Sequence, residues 1–472
     1  MAQLDFISLF LKQVAERGNS VAIKSSESSM TYAELFQKSR AVQVYLNEQK
    51  NHHPFVGIDC NAGMESYAYI IGVWLYGGAY VPVNSEYPAG HLAEIKAQTN
   101  LKLVLNKETK IIEESDLAKT QTIEPKIEQE LAYVIFTSGT TGKPKGVPIL
   151  KSNLNAFFSH YLDSNNYEFS AQDVFLQSYE LSFDVSVFCF GMPLMLGANL
   201  ILPLQQGIKY LNIAAAILKN NVTVCSNVPS VAMHLYSRLN EVEFSSLRYC
   251  FFSGEALYGN WALAWMKAAK NAQVYNCYGP TETTIVCTSE HLNTLDRSYF
   301  ESDFPLPLGQ VFKGTKMKIQ DEELHFKGEQ VFKGFLNQDT NTDQLFPTGD
   351  LAFRDENSRL IFKGRKDQQV QINGYRVELQ SIDNCIKAQL SMRSATFVFK
   401  NSSNANVICT AVEKEWVDEL LVKKILSAHL PSYSQPLYLT AIKDFPLNQN
   451  GKLDKQELKK LVRRQLGEHK IS

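Results

Sequence analysis

The sequence contains no Cys-x-x-Cys pair: its eight cysteines are scattered at positions 60, 189, 225, 250, 277, 287, 385 and 409. That argues against a zinc site and a disulfide framework, and a reducing, cytoplasmic setting is expected. Charge of neither sign is in excess. A formal net charge of −2 gives no general electrostatic drive towards nucleic acid or acidic membranes, and neither is expected as a partner. The opening "MAQLDFISLFLKQVAERGNS" lacks a basic n-region and reads as an amphipathic helix, not a signal peptide. Internal repeats and low-complexity tracts are absent too. Long apolar runs are few. "VSVFCFGMPLMLGANLILPL", Val185 to Leu204, is 20 residues without a charge, long enough to span a bilayer. Gly191, Pro193, Gly197 and Asn199 break it, however, and no lysine-rich flank anchors it. It reads as a buried helix followed by a strand.

What is present is the composition of a folded protein, 44% hydrophobic and 20% charged over 472 residues, too long for one ordinary core. Residues 1 to about 50 read as helical, with a Thr31 cap before "YAELFQKSRAVQVYLNEQ". "FVGIDC", "AYVPV" and "LKLVLN" are short strand-like runs separated by helical segments. This alternation predicts an α/β fold with doubly wound sheets. After about Leu308 the pattern turns to short strands with charged turns, a β-subdomain. "RLIFKGRKDQQVQINGYRVEL" reads as strand, break, strand, with a domain boundary near Asp367. A large unit, 1–366, and a small α+β unit, 367–472, are expected. A basic helix, "KQELKKLVRRQLGEHK", ends the second.

The segment "YVIFTSGTTGKPKGV", residues 133 to 147, follows a strand with hydroxyls, glycines and lysines. Backbone amides, hydroxyls and a lysine together form a nest for phosphate oxygens. The Walker A pattern GxxxxGK(S/T) does not fit, because Gly139 and Gly142 are too close and Pro144 follows Lys143.

This loop resembles the phosphate loop of the adenylate-forming superfamily, which comprises acyl-CoA synthetases, luciferases and the adenylation domains of nonribosomal peptide synthetases. The other signatures occur in the superfamily's order: "MTYAEL", "YGGAYVPVNSEYP", "LSFDVSVF", "FFSGEAL", "NCYGPTETT", "FPTGDLAF", "FKGRKDQQVQINGYRVEL" and "PLNQNGKLDKQEL". The resemblance covers nearly the whole chain. It implies that a carboxylate attacks the α-phosphorus of ATP, expels pyrophosphate, and passes as an acyl group from AMP to a thiol, with ATP and Mg2+ as cofactors.

Roles follow from the matched positions. Thr137, Ser138, Gly139, Thr140, Thr141, Gly142 and Lys145 would hold the β- and γ-phosphates. Gly254, Glu255, Asn276 and Gly279 fall in motifs at the nucleotide. Tyr278 would stack on adenine, and Thr281 would contact the α-phosphate. Glu282 would hold Mg2+, which takes one or two carboxylates plus phosphate oxygens. Asp350 would accept from the ribose hydroxyls, with Arg365 nearby. Lys452 would bridge the substrate carboxylate and the AMP oxygens in the transition state. Asp367 occupies the hinge position about which the small domain turns, and Gly374 would sit on the face used for thioester formation. The superfamily commonly has basic residues where this chain has Gln371 and Asn373, and many relatives have a His near the position of Lys151. The superfamily's "GELYIGGxGxARGY" stretch is shortened here to "EELHFKGEQVFKGFLN".

Asp184, in "FDVSVF", matches the aspartate with which amino-acid-activating members hold the α-ammonium group. A buried carboxylate is costly unless a cation pairs with it; a helix N-cap is the structural alternative. The remaining pocket positions are Val185, Phe188, Ser226, Phe251, Ser253, Cys277, Ile285 and Val286. None is charged, which implies a small to medium neutral amino acid. With no carrier motif in the sequence, a separate phosphopantetheinylated carrier protein is the expected acceptor, similar to the case of D-alanyl carrier protein ligases, and a monomer is expected. Two alternatives stay open: an acyl- or aryl-CoA synthetase, and a degenerate fold serving only as a binding protein.

Overall fold

The computed structural model describes residues 5–49, 54–109, 111, 130–137, 144–163, 166–338, 344–366, 369–401, 405–447 and 453–467. The chain divides into two compact units. One comprises Met1–Ser85, Gln98–Phe136 and Gly146–Gly364; the other comprises Glu86–Ala97, Thr137–Lys145 and Arg365–Ser472.

The first unit contains a nine-stranded sheet whose order is Gln310–Val311, Thr288–His291, Gln273–Tyr278, Tyr249–Phe252, Val224–Asn227, Val174–Leu176, Asn199–Ile201, Val21–Lys24 and Ser29–Thr31. The pairs from Gln273–Tyr278 across to Val21–Lys24 are parallel and the outer pairs antiparallel. A five-stranded sheet runs Val104–Leu105, Phe55–Asp59, Ala79–Val83, Leu131–Thr137 and Lys145–Leu150. The doubly wound α/β fold read from the sequence is therefore present. The β-subdomain is a four-stranded sheet of Thr315–Gln320, Glu323–Gly328, Phe346–Arg354 and Leu360–Arg365.

Residues 1 to about 50 are not all helical. The helices Phe6–Arg17 and Tyr32–Glu48 flank a two-stranded excursion, Val21–Lys24 and Ser29–Thr31. The reason is tertiary: Ile23 finds a place beside Leu200 at the edge of the large sheet. The Thr31 cap is present as a full capping box. Its Oγ1 accepts from the Glu34 N–H at 3.2 Å, while Glu34 Oε2 accepts from the Thr31 N–H at 2.7 Å.

The apolar run at 185–204 folds as the helix Val185–Leu196 and the strand Asn199–Ile201. Pro193 lies inside that helix, and Tyr32 Oη donates to the carbonyls of Pro193 and Ala198 at 2.9 and 2.7 Å. The far end of the helix is thus tied to a residue about 160 positions earlier. No helix among the described residues is long and apolar enough to cross a membrane.

In the second unit, a hairpin of Gln369–Ile372 and Tyr375–Glu378 precedes a three-stranded sheet of Ser394–Lys400, Asn406–Glu413 and Tyr438–Ile442. The helices Leu379–Leu390, Glu419–His429 and Lys455–Leu466 accompany it. The hairpin turn is Asn373–Gly374, with φ of 51° and 85°, and Ile372 pairs with Tyr375 across it. A two-residue loop with both φ positive is the type I′ geometry, for which Asn-Gly is the favoured pair. Asn373 therefore has a structural reason to stand where relatives carry a basic residue.

Candidate functional site

The site residues of the first unit gather at the carboxyl ends of adjacent parallel strands, where open α/β sheets bind ligands. Ser226 lies near the end of Val224–Asn227, Ser253 and Gly254 follow Tyr249–Phe252, and Tyr278 ends Gln273–Tyr278. Tyr278 Oη donates to Asp350 Oδ2 at 2.7 Å, so the residues assigned to adenine and ribose are brought together. Burial, then the Asp350 charge, pushes the Tyr278 phenol well above its ordinary pKa. The Thr348 hydroxyl accepts from the Asp350 N–H at 3.0 Å, which fixes the carboxylate from its own backbone.

After Tyr278 the chain makes a tight return. A Cβ on Gly279 would stand 2.5 Å from Val286 Cα, so only glycine permits the approach. The Cys287 N–H donates to the Tyr278 carbonyl at 2.8 Å. Between them, Thr281–Thr283 form a single 3₁₀ turn that holds Thr281 and Glu282, and Glu282 is only 2% exposed. No three His, Cys, Asp or Glu side chains converge as a metal cluster among the described residues. Mg2+ needs only one or two protein carboxylates when phosphate oxygens complete its shell, so Glu282 fits that ion.

Asp184 precedes the helix Val185–Leu196, but its side chain makes no capping hydrogen bond. It is buried, and its Oδ2 has no partner among the described residues. Burial raises its pKa to about 7, the Glu282 charge adds to that, and the Val185 N–H, the Thr281 hydroxyl and the Ile285 N–H pull it back. Such an orphan oxygen leaves room for one strong donor. Two further hydroxyls without a partner among the described residues, those of Tyr80 and Tyr133, belong to residues paired in register on neighbouring strands. Their pKa values are raised, first by burial and then in part by the Asp184 charge.

Val185, Phe188, Ser226, Phe251, Ser253, Cys277, Ile285 and Val286 are all buried. Ring centroids of Phe188 and Phe251 lie 5.4 Å apart, and Tyr161 stands 4.9 and 5.8 Å from them. The Tyr161 hydroxyl also faces the Cys277 thiol. Tyr179 Oη lies 3.1 Å from both the carbonyl and the hydroxyl of Ser253. Tyr161 and Tyr179 were not foreseen from the sequence, where "FFSHYL" and "QSYEL" carry no signal beyond aromatic content.

Two residues matched to nucleotide motifs are occupied structurally. Asn276 Nδ2 donates to the carbonyls of Leu306 and Pro307 at 3.2 and 2.8 Å. Glu255 Oε2 accepts from the Ser230 N–H at 2.8 Å, in the first turn of the helix Pro229–Leu235. Gly254 sits at φ 88°. Thr137, Lys145, Arg365 and Gly374 belong to the second unit. Ser138, Gly139, Thr140, Thr141, Gly142, Asp367 and Lys452 lie outside the described residues.

A family model described as AMP-binding enzyme matches residues 10–336. This chain belongs to that family. It is accordingly an adenylate-forming ligase, and ATP and Mg2+ are its cofactors. This AMP-binding enzyme is 29% identical to the D-alanine–D-alanyl carrier protein ligase of Staphylococcus epidermidis, covering 97% of this chain and 99% of that protein. It is 28% identical to gramicidin S synthase 1 of Brevibacillus brevis over 95% of this chain, but spans only 44% of that protein. Among solved structures, the Vibrio cholerae adenylation domain AlmE, in complex with glycyl-adenosine-5′-phosphate, superposes with a TM-score of 0.79 at 23% identity, over 97% of this chain and 98% of that one. A nonribosomal peptide synthetase protein containing adenylation and PCP domains gives a TM-score of 0.83 at 22% identity, over 98% of this chain and 84% of that one. At these identities the structural likenesses establish the fold.

Proposed function

We infer that the enzyme activates a small neutral amino acid as aminoacyl-AMP and then loads it on the phosphopantetheine thiol of a separate carrier protein. The single observation that carries the amino-acid reading is Asp184 Oδ2, buried in the first unit and without a partner among the described residues. A substrate ammonium group would supply the missing donors and the countercharge together. A carboxylic acid without an amino group would leave that oxygen buried and unsatisfied. The rings of Tyr161, Phe188 and Phe251 favour a small side chain by filling space around Cys277.

In the first half-reaction a substrate carboxylate oxygen bonds to the α-phosphorus of ATP, and the bond to pyrophosphate breaks. In the second, the thiolate sulfur bonds to the acyl carbon, AMP leaves, and the thiol has given up its proton. Tyr278 and Asp350 would orient adenine and ribose, and Thr281 would contact the α-phosphate. Glu282 would hold Mg2+, which neutralises phosphate charge when bound. Residues 137–145 would bind the outer phosphates. Residues 1–366 would bind ATP and the amino acid, while 367–472 would deliver Lys452 and then, turning at Asp367, the face that includes Gly374. The name of the D-alanine–D-alanyl carrier protein ligase relative supports a carrier protein as acceptor.

Exchange of labelled pyrophosphate into ATP, dependent on one amino acid from a panel of L-amino acids, glycine, D-alanine and β-alanine, tests the proposal. Exchange with a small neutral amino acid that vanishes in Asp184→Ala is expected. Exchange supported only by acids lacking an amino group would replace this reading with that of an acyl- or aryl-CoA synthetase.

A further inference from the structure

The turn that brings Ile285 and Val286 into the pocket has a backbone its residues disfavour. Thr284 and Ile285 have φ of 59° and 72°, two successive β-branched residues in the left-handed region. Such residues are outliers there and are held only when their surroundings dictate it. Here the hold comes from a residue 46 positions away, Gln330. Gln330 Nε2 donates to the Val286 carbonyl at 2.9 Å and lies 3.5 Å from that of Thr284. Its own backbone carbonyl accepts from the Thr284 hydroxyl. The Phe332 N–H donates to the Glu282 carbonyl at 2.8 Å. The turn is thus gripped at 282, 284 and 286 by one short segment.

Two features show that this grip is built and not incidental. Both partners of the Gln330 amide are carbonyls, so only its NH2 end can face them. Gln330 is 1% exposed, and its Oε1 has no partner among the described residues, so the side chain is not placed for its own satisfaction. On the other side the segment is itself anchored. Asn153 Nδ2 donates to the carbonyls of Glu329 and Val331 at 2.6 and 3.3 Å, while its Oδ1 accepts from the Leu150 N–H at 2.9 Å. The gripped turn includes the Ile285 N–H that faces the Asp184 carboxylate.

We propose that Gln330 is a positioning residue for the amino-acid pocket: by clamping Thr284, Ile285 and Val286 it fixes the wall offered to the substrate side chain and sets amino-acid selectivity. The proposal rests on the reading of the Asp184 pocket given above. Gln330 touches no reacting atom; it acts through the turn.

The test uses the full-length chain and two shape-preserving variants that cut the clamp from opposite sides, Gln330→Met and Thr284→Val. Amino-acid-dependent pyrophosphate exchange gives KM for the amino acid, KM for ATP, and the ratio of kcat/KM between the best and the next-best amino acid. Amide hydrogen exchange reads residues 284–287 directly. Both variants are expected to raise KM for the amino acid about tenfold and to flatten the selectivity ratio by a similar factor. KM for ATP should stay unchanged, and exchange at 284–287 should speed up. A purely structural role would lower activity equally for every amino acid, with the ratio and KM untouched; that result overturns the proposal. If wild-type protein works only with acids lacking an amino group, the Asp184 reading fails. The same ratio measured on those acids then decides for or against the clamp. If no acid supports exchange, hydrogen exchange alone decides: faster exchange at 284–287 in both variants keeps the clamp, and an unchanged rate overturns it.

Discussion

Three turns among the described residues place consecutive residues at positive φ, Asp321–Glu322 being one, and the other two do so by opposite means. Asn373–Gly374, at φ 51° and 85°, uses the two residue types that enter the left-handed region at least cost. Its hairpin closes by strand pairing from Ile372↔Tyr375 to Gln369↔Glu378, with Arg376 Nε donating to Gln369 Oε1 at 2.7 Å across it. Thr284–Ile285, at 59° and 72°, uses two residue types that resist it, and it is fastened by Gln330 and Phe332. The first turn is specified locally; the second is imposed by tertiary structure. The contrast follows what each turn presents. A hairpin tip needs only to reverse the chain, whereas the other turn carries two buried side chains, Ile285 and Val286, which line the pocket proposed above. Glycine there would end the strain but remove the wall.

That contrast can be broken at several points. The largest effect is expected at the group the pocket turn faces. Asp184→Ala should abolish amino-acid-dependent exchange, because removing one partner of a buried charge pair costs about 2–5 kcal/mol, roughly 30-fold to several thousand-fold. Next comes the hairpin. Gly374→Ile puts a resistant residue at a φ of 85° and should destabilise the second unit by about 1–3 kcal/mol in chemical denaturation. A milder effect should come from writing the hairpin's solution into the pocket. In a Gln330→Met background, Thr284→Asn with Ile285→Gly should recover about 1 kcal/mol of stability and slow hydrogen exchange at 284–287. Selectivity should not return, since the Ile285 side chain is gone.

The most gradual effect is a pH slope. Burial holds the Asp184 pKa at about 7 against an ordinary 3.8. Between those values the folded protein keeps a proton that the unfolded chain has lost. Stability therefore falls as pH rises through that window, by about 1 kcal/mol per pH unit from this group. Denaturation midpoints of the ligand-free protein should show the slope, and Asp184→Asn should flatten it. Over the same range KM for the amino acid should fall with rising pH, because the carboxylate must ionise to meet an ammonium group.

The same two turns explain what could be read from the sequence. "INGYRVEL" holds its hairpin signal within two residues, Asn373 and Gly374, so this turn is specified by local sequence. The Thr31 cap with Glu34 three residues on, and the helix and strand within 185–204, are local patterns too, and both are present. The strain at Thr284 and Ile285 could not be read, because its cause is 46 residues away, in a segment shortened relative to the superfamily's. The Val21–Lys24 strand was hidden for a similar reason: its parallel neighbour is Asn199–Ile201. For Asp184 the residue type was readable, but whether it caps a helix or faces a pocket is decided by burial and by the lack of a capping bond.

The pairing of Ile23 with Leu200 also has a meaning in time. A chain emerging at 5–20 residues per second needs roughly 10–40 s to pass from one to the other. Until then the first β-strand has no parallel neighbour, and the Tyr32 hydroxyl has neither the Pro193 nor the Ala198 carbonyl to bind. The helix that starts at Asp184 and Val185 completes its far end only when this early segment docks. The helix beside the proposed pocket is therefore complete only after about 200 residues have been made, although its anchor is among the first of them.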